Sequence, residues 1–310
     1  MSGSTRDAGP SIGPSAPAGA DRWSLRALGR MAVRALDPRL TARLRAERQQ
    51  RDLLSRRLRA GGSIVVAGSP PGGRYTVAAL VTLALARFQG PNVLAVDVGD
   101  EGGLYRRLAT RPGGSAESVL TGLGIRAAEP GGPPRGAVGP RWLRRQLALA
   151  DGFLLLAADP ATGEPAIRGE EYVAAVPALG RYVSAVVTDA PRLDDESMAS
   201  TVIATADRVV LVGADDDAGR AWVRSCLPWI GSVLRRPVDR SVVVALVPTP
   251  TSGPDDRRIG AGDFDVPAFR LPDDPVLHRP QPLRWDLLAP RTRRAVSALA
   301  AAVVSGLEMN

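Results

Sequence analysis

The sequence predicts an α/β protein: a mainly parallel sheet with helices on both faces, preceded by a basic helical arm. Three observations carry this reading. From residue 62 onward, short apolar runs alternate with longer helical stretches, the order of a parallel sheet with crossover helices. The first of these runs leads into a Gly-rich turn and then a helix, Ile64-Val-Val-Ala-Gly-Ser-Pro-Pro-Gly-Gly-Arg-Tyr-Thr76. Aromatic residues make up only 4% of the 310, so the core must be assembled mostly from Ala, Val and Leu.

Residues 1–20 are rich in Gly, Ser, Pro and Ala and read as a disordered tail without the apolar run of a signal peptide. Residues 21–61 read as an Arg-rich helical arm, broken near Asp37-Pro38. Arg22, Arg26, Arg30 and Arg34 recur every four residues and line one helix face, with Leu25, Leu28, Ala32 and Leu36 largely opposite. After Pro38, Leu40, Leu44, Leu54 and Leu58 stand among eight further arginines. Two readings of the arm compete. It binds an anionic membrane surface, nucleic acid or an acidic partner, or it packs its Leu face on the main domain and solvates its Arg face.

Residues 62–310 read as one domain. Strands are predicted at 63–67, 92–98, 153–156, 182–188, 208–212 and 241–247. Helices are predicted at 76–87, 116–123, 170–179, 196–206, 218–233 and 290–307, and loops at 127–140 and 248–265. Ligands of such sheets bind at the carboxyl ends of the strands.

Composition narrows the chemistry. The net charge is +8, and all 40 Lys+Arg residues are Arg. That balance favours phosphate-rich partners, anionic membranes or acidic proteins. Cys226 is the only cysteine and His278 the only histidine, which argues against a zinc cluster and against Cys/His or Ser/His catalysis. No run is apolar and long enough to span a bilayer. The expectation is a cytoplasmic protein, with peripheral membrane contact through the arm left open.

The strand–turn–helix at 64–76 is the setting of a phosphate-binding loop, with Gly72, Gly73, Arg74, Tyr75 and Thr76 as its candidate nucleotide-binding residues. Asp97 and Asp189 end two predicted strands at the same edge, as candidate metal or water ligands or as helix caps. The run Asp215-Asp-Asp217 precedes a helix and reads as a cap.

Several segments resemble the MinD/ParA group of deviant P-loop ATPases, over nearly all of residues 62–309. They are Asn92-Val-Leu-Ala-Val-Asp97, Gly102-Gly-Leu-Tyr-Arg-Arg-Leu108, Ser184-Ala-Val-Val-Thr-Asp-Ala-Pro191, Ala206-Asp-Arg-Val-Val-Leu-Val212 and Leu288-Ala-Pro-Arg-Thr-Arg-Arg-Ala295. The resemblance is nearest to actinobacterial MinD-like proteins, some of which accompany type VII secretion systems. It implies ATP and magnesium as ligands, face-to-face dimerisation and a role in positioning, partitioning or secretion.

The departures from the family pattern cluster at the site. The family loop reads K-G-G-x-G-K-T-T, where this chain has Ser69-Pro-Pro-Gly-Gly-Arg-Tyr-Thr76. Ser69 stands for the signature lysine. Pro70 and Pro71 remove two backbone donors. Arg74 stands for the loop lysine, and Tyr75 for the hydroxyl residue that binds magnesium. Gly99 replaces the second Asp of the D-x-D that often ends the second strand. Arg192 stands where many relatives have a glycine, and Ala245 where relatives place an adenine-reading Asn after the sixth strand. Phosphoryl transfer depends on positioning and charge stabilisation. The expectation is therefore a pseudo-ATPase that acts as scaffold or regulator, with a same-fold ATPase or a second copy as partner. An active ATPase using Arg74, Thr76, Asp97 and Asp189, and a nucleotide-independent DNA-binding protein, are the alternatives.

Overall fold

The computed structural model describes residues 38–58, 61–68, 73–98, 102–109, 116–127, 138–147, 152–157, 167–193, 196–250, 252, 259 and 263–307. The chain divides into two compact units, Met1–Arg48 and Gln49–Asn310. Helix α1, Pro38–Ser55, crosses that boundary. Proline suits a first helical turn, where its missing N–H has no intrahelical acceptor. The 1–20 tail and Arg22, Arg26, Arg30 and Arg34 lie outside the described residues.

In the second unit the strands are β1 Gly62–Gly68, β2 Val93–Asp97, β3 Leu154–Leu156, β4 Ala185–Asp189, β5 Arg208–Ala214, β6 Val242–Val247 and β7 Ala268–Arg270. The helices after α1 are α2 Arg74–Gln89, α3 Gly103–Leu108, α4 Ala116–Gly122, α5 Pro140–Leu147, α6 Gly169–Gly180, α7 Glu196–Ala204, α8 Asp217–Leu234, α9 Val238–Ser241 and α10 Pro290–Leu307. The strands form one sheet in the order β3-β2-β4-β1-β5-β6-β7, every described pair parallel. The order turns back on itself around β1, which puts a crevice at the carboxyl ends of the central strands.

Strand residues alternate between two cores, as a pleated strand buried on both faces requires. Ile64, Val66, Val210, Val212, Val243 and Ala245 face one core, together with most of α2 and the inner side of α10. Val65, Ala67, Val209, Leu211, Val242 and Val244 face the other, with apolar residues of α4 to α8. Helix α2 is buried almost throughout from Thr76 to Ala86 and is made of Ala, Val, Leu and Thr. Small side chains let it lie close to the sheet, which is how a chain poor in aromatics closes its core.

The end of α1 is built into the second unit. Leu54 is fully buried and Leu58 nearly so, in the same core as α2. The last carbonyls of a helix lack intrahelical donors. Here Gln89 supplies them: its Nε2 donates to Leu54 O at 2.5 Å and to Arg56 O at 2.6 Å. Helix α10 is capped from a distance. Asp274, 2% exposed, accepts from Val276 N at 3.1 Å, Ala289 N at 2.8 Å and Thr292 Oγ1 at 2.7 Å.

The six predicted strands and six predicted helices match elements of the structure. Four elements go beyond them, one being the single turn α9. Strand β7 has three residues, too few to show a period. Helix α3 is a six-residue helix within the Gly102–Leu108 segment, where no helix is predicted. Helix α5 follows the 127–140 loop, of which residues 128–137 lie outside the described residues. No described helix is long and apolar enough to cross a membrane.

Burial alone would raise the Asp274 carboxyl, but the Thr292 hydroxyl, the Ala289 and Val276 amides and Arg291 outweigh it and lower the pKa. A depressed carboxylate stabilises the fold above the ordinary value of ~3.9, and that contribution is lost as pH falls through the lower folded value. Asp274→Ala is expected to cost about 1–3 kcal/mol at neutral pH. In urea denaturation the gap between parent and variant should close on acidification.

Candidate phosphate-loop site

Register sets the positions of the two strand-end acids. Asp189 of β4 pairs with Val66 of β1 on one side and with Asp97 of β2 on the other. Adjacent parallel strands lie ~4.8 Å apart, so the two carboxylates start side by side at the carboxyl edge. Asp97 and Asp189 are each 1% exposed.

Strand β1 runs into the loop through Gly68, where an added Cβ would lie 2.8 Å from the Val212 carbonyl oxygen. Ser69, Pro70, Pro71 and Gly72 lie outside the described residues. The chain is described again at Gly73, whose φ of +74° belongs to the left-handed region that glycine tolerates. Helix α2 starts at the next residue.

Arg74 turns inward. Its Nε donates to Asp189 Oδ1 at 2.7 Å, and its Nη2 lies 3.5 Å from Oδ2. The pair is buried, with Arg74 8% exposed. The cation at the head of α2 therefore lies on the acid that ends β4, in the forked geometry that a guanidinium favours.

Tyr75 turns the other way. Its ring sits on the first residue of α3, where a Cβ on Gly103 would come within 2.8 Å of Tyr75 Cδ1. The Arg107 guanidinium lies over the same ring, 5.8 Å from its centroid, at cation–π range. Burial lowers the Arg107 pKa, an effect that Tyr75 opposes and Arg106 reinforces. Arg107 also donates to Leu277 O at 2.9 Å and to Arg279 O at 2.6 Å, tying α3 to the 277–283 segment. Asp97 Oδ2 accepts from Tyr105 N at 2.9 Å in the first turn of α3, so Asp97 acts as a cap donated by the preceding strand. Thr76 is 7% exposed, in the first turn of α2.

A second charged cluster lies further along the same edge, past β5. Asp216 does cap α8, accepting from Gly219 N at 2.7 Å. Asp215 has a different role. It is fully buried and accepts from Arg220 Nη2 at 2.7 Å and from Nε of Arg270, at the end of β7. Arg220 Nη1 reaches Asp263 Oδ2 at 2.8 Å. Sequence reasoning missed this network because its partners are separated by up to 55 positions and join only when β7 is in place. Ala245 lies inside β6, fully buried, and not after that strand, because β6 continues to Val247. His278 is exposed, its Nε2 2.5 Å from Asp273 Oδ1. Among the described residues no group of three or more His, Cys, Asp or Glu is arranged to hold a metal ion.

Comparison with known proteins agrees with the fold. A ParA family ATPase from Chlorobium tepidum TLS superposes with a TM-score of 0.58 at 15% identity, over 78% of this chain and 98% of that one. The MinC:MinD cell division protein complex of Aquifex aeolicus gives 0.54 at 17% identity, over 78% and 94%. The MinD cell division protein of Aquifex aeolicus gives 0.52 at 14%, over 78% and 95%. The chain has the fold of the MinD and ParA ATPases. No family model and no curated protein matches it by sequence.

Two stability measurements probe this geometry. Arg74→Met removes the cation from a buried carboxylate and is expected to cost ~3 kcal/mol or more, while Arg74→Met combined with Asp189→Leu should recover most of it. Gly103→Ala should cost about 1–3 kcal/mol through overpacking against the Tyr75 ring. Adding Tyr75→Ala should relieve part of that cost, with a coupling of at least ~0.5 kcal/mol in a double-mutant cycle by urea denaturation.

Proposed function

We propose that this chain is a MinD/ParA-fold protein that works without hydrolysing nucleotide, as a scaffold or regulator in a positioning, partitioning or secretion machinery. The observation that carries the proposal is the Arg74–Asp189 pair, 2.7 Å apart and buried. A phosphate-binding loop needs a free cation for the phosphates and an acid for the metal's water shell. In this chain those two positions neutralise each other.

The residues present do not fit a magnesium–nucleotide complex. Tyr75 stands where the family has its magnesium-binding hydroxyl residue, and its ring packs on Gly103. Asp97 is engaged by the α3 amide. Opening the site would mean breaking a buried ion pair and lifting an aromatic ring off α3. Sequence adds to this, since Pro70 and Pro71 bring no N–H to the loop.

A scaffold acts through a partner. One of the similar solved structures is a complex of MinD with MinC. By that likeness the partner of this chain is a protein, with a second copy or an active ATPase of the same fold as the natural candidates.

Calorimetric titration with ATP, with and without magnesium, tests the reading directly. The expected outcome is no saturable heat at millimolar ATP in a sample shown to be folded, together with no phosphate release above buffer. Micromolar, magnesium-dependent binding would sink the proposal.

A further inference from the structure

From its exposure and charge pattern we infer that the outer face of α6 is a self-association surface, on which a second copy of this chain docks its own α6 antiparallel. The inference needs no nucleotide and stands whether or not the phosphate loop binds one. Tyr172, Ala175, Val176 and Leu179 point α6 into the second core. On the opposite side Glu170, Val173, Ala174, Pro177 and Arg181 are exposed. Val173 is 46% exposed, a large apolar side chain left open to solvent.

Glu170, Ala174, Pro177 and Arg181 follow the spacing i, i+4, i+7, i+11. At ~100° per residue they fall within a strip roughly 60° wide. That is the spacing of a helix–helix seam with a shallow crossing angle. Val173 widens the strip on one side, where Met198 and Thr201 of α7 border it: a Cβ on Gly169 would lie 3.0 Å from Met198 Sδ and 3.9 Å from Thr201 Cγ2. On the other side Glu171 is taken by Arg126, whose Nε and Nη2 donate to its two oxygens at 2.7 and 2.8 Å. The face therefore has fixed borders.

Charge selects the occupant. The strip is acidic at the amino end of α6, basic at the carboxyl end and apolar between. Its charges cancel, so it offers no net field to draw a nucleic acid or an anionic membrane. Turned by half a turn, it is complementary to itself, the isologous arrangement of a two-fold dimer. With the axis passing between residues 175 and 176, Glu170 of each copy lies opposite Arg181 of the other, and Ala174 opposite Pro177. The two ion pairs lie ~16 Å apart along the helix. The small side chains between them let the helices approach to about 8–10 Å. One helix face is a small interface, and exposed ion pairs contribute little each, so the dimer is weak and salt-sensitive.

The test is sedimentation velocity of the full-length chain, free of nucleotide, from micromolar to submillimolar concentration. The parent should show a monomer–dimer equilibrium that weakens with salt. Glu170→Arg and Arg181→Glu each set like charges against each other at both pairs, and each should weaken self-association ~10-fold or more. An equimolar mixture of the two variants brings a copy with arginine at both positions against a copy with glutamate at both. It should associate about as tightly as the parent. The chain carrying both changes exchanges the charges in place and should self-associate as the parent does. Both positions are exposed, so thermal melts should match the parent's, and recovery on mixing shows independently that the variants are folded. A parent that stays monomeric across the range would overturn the inference. So would a parent dimer that neither variant weakens, or variants that do not associate with each other. Binding of a different protein that these variants weaken, with the parent alone monomeric, would overturn it in favour of that partner.

Discussion

Two carboxylates buried at adjacent strand ends are the constraint around which this edge of the sheet is organised. Register leaves no choice about their proximity, because β2 and β4 pair with Asp97 opposite Asp189. Like charges buried side by side are costly unless each is compensated. A shared metal cation is one solution. This chain uses two separate ones. Arg74 supplies a guanidinium to Asp189, and the backbone amide of Tyr105 supplies a donor to Asp97. Each solution recruits an element: the first fixes the head of α2 against β4, the second fixes α3 against β2. Tyr75 then joins the two helices, since its ring occupies the space that a side chain on residue 103 would need.

The same device recurs along the sheet. Asp215 at the end of β5 is compensated by Arg220 from α8 and Arg270 from β7, and Arg220 extends to Asp263. A planar fork with five donors can serve two carboxylates in fixed geometry, which a compact ammonium does less well. In a chain without lysine, Asp189 and Asp215 are matched by arginine side chains suited to hold them in one arrangement. Where both members of a buried pair come from the chain, removing one leaves an uncompensated buried charge, which costs more than the intact pair contributes to net stability.

The fold was largely legible because both faces of the sheet are covered. Strands buried on two sides read as continuous Val/Ala/Leu runs, and the helices between them are long enough to show. What escaped were short elements whose existence depends on neighbours. Helix α3 needs Asp97 as a distant cap and Gly103 beneath Tyr75. Strand β7 needs β6 to pair with. At the site, alignment could say that Arg74 and Tyr75 replace a lysine and a hydroxyl. It could not say where a long guanidinium would turn, because that depends on a carboxylate 115 positions away. The Asp215 network was hidden for the same reason, and a short acidic run before a helix points first to a cap, which Asp216 in fact provides.

Helix α2 connects these features mechanically. Its first residue is held by Asp189, and its last, Gln89, clamps the carbonyls that end α1. The helix's 16 residues form a rod of ~24 Å, buried along most of its length. A ligand can shift an equilibrium only by its differential affinity for the two states. A nucleotide acting on this fold would have to displace Arg74 from Asp189 before the head of α2 could respond. Tight packing lets α2 transmit such a displacement to the segment from Leu54 to Leu58, and equally lets it hold that segment still while the pair is closed. With the pair closed, Gln89 keeps the carbonyls of Leu54 and Arg56 in one fixed attachment to the core.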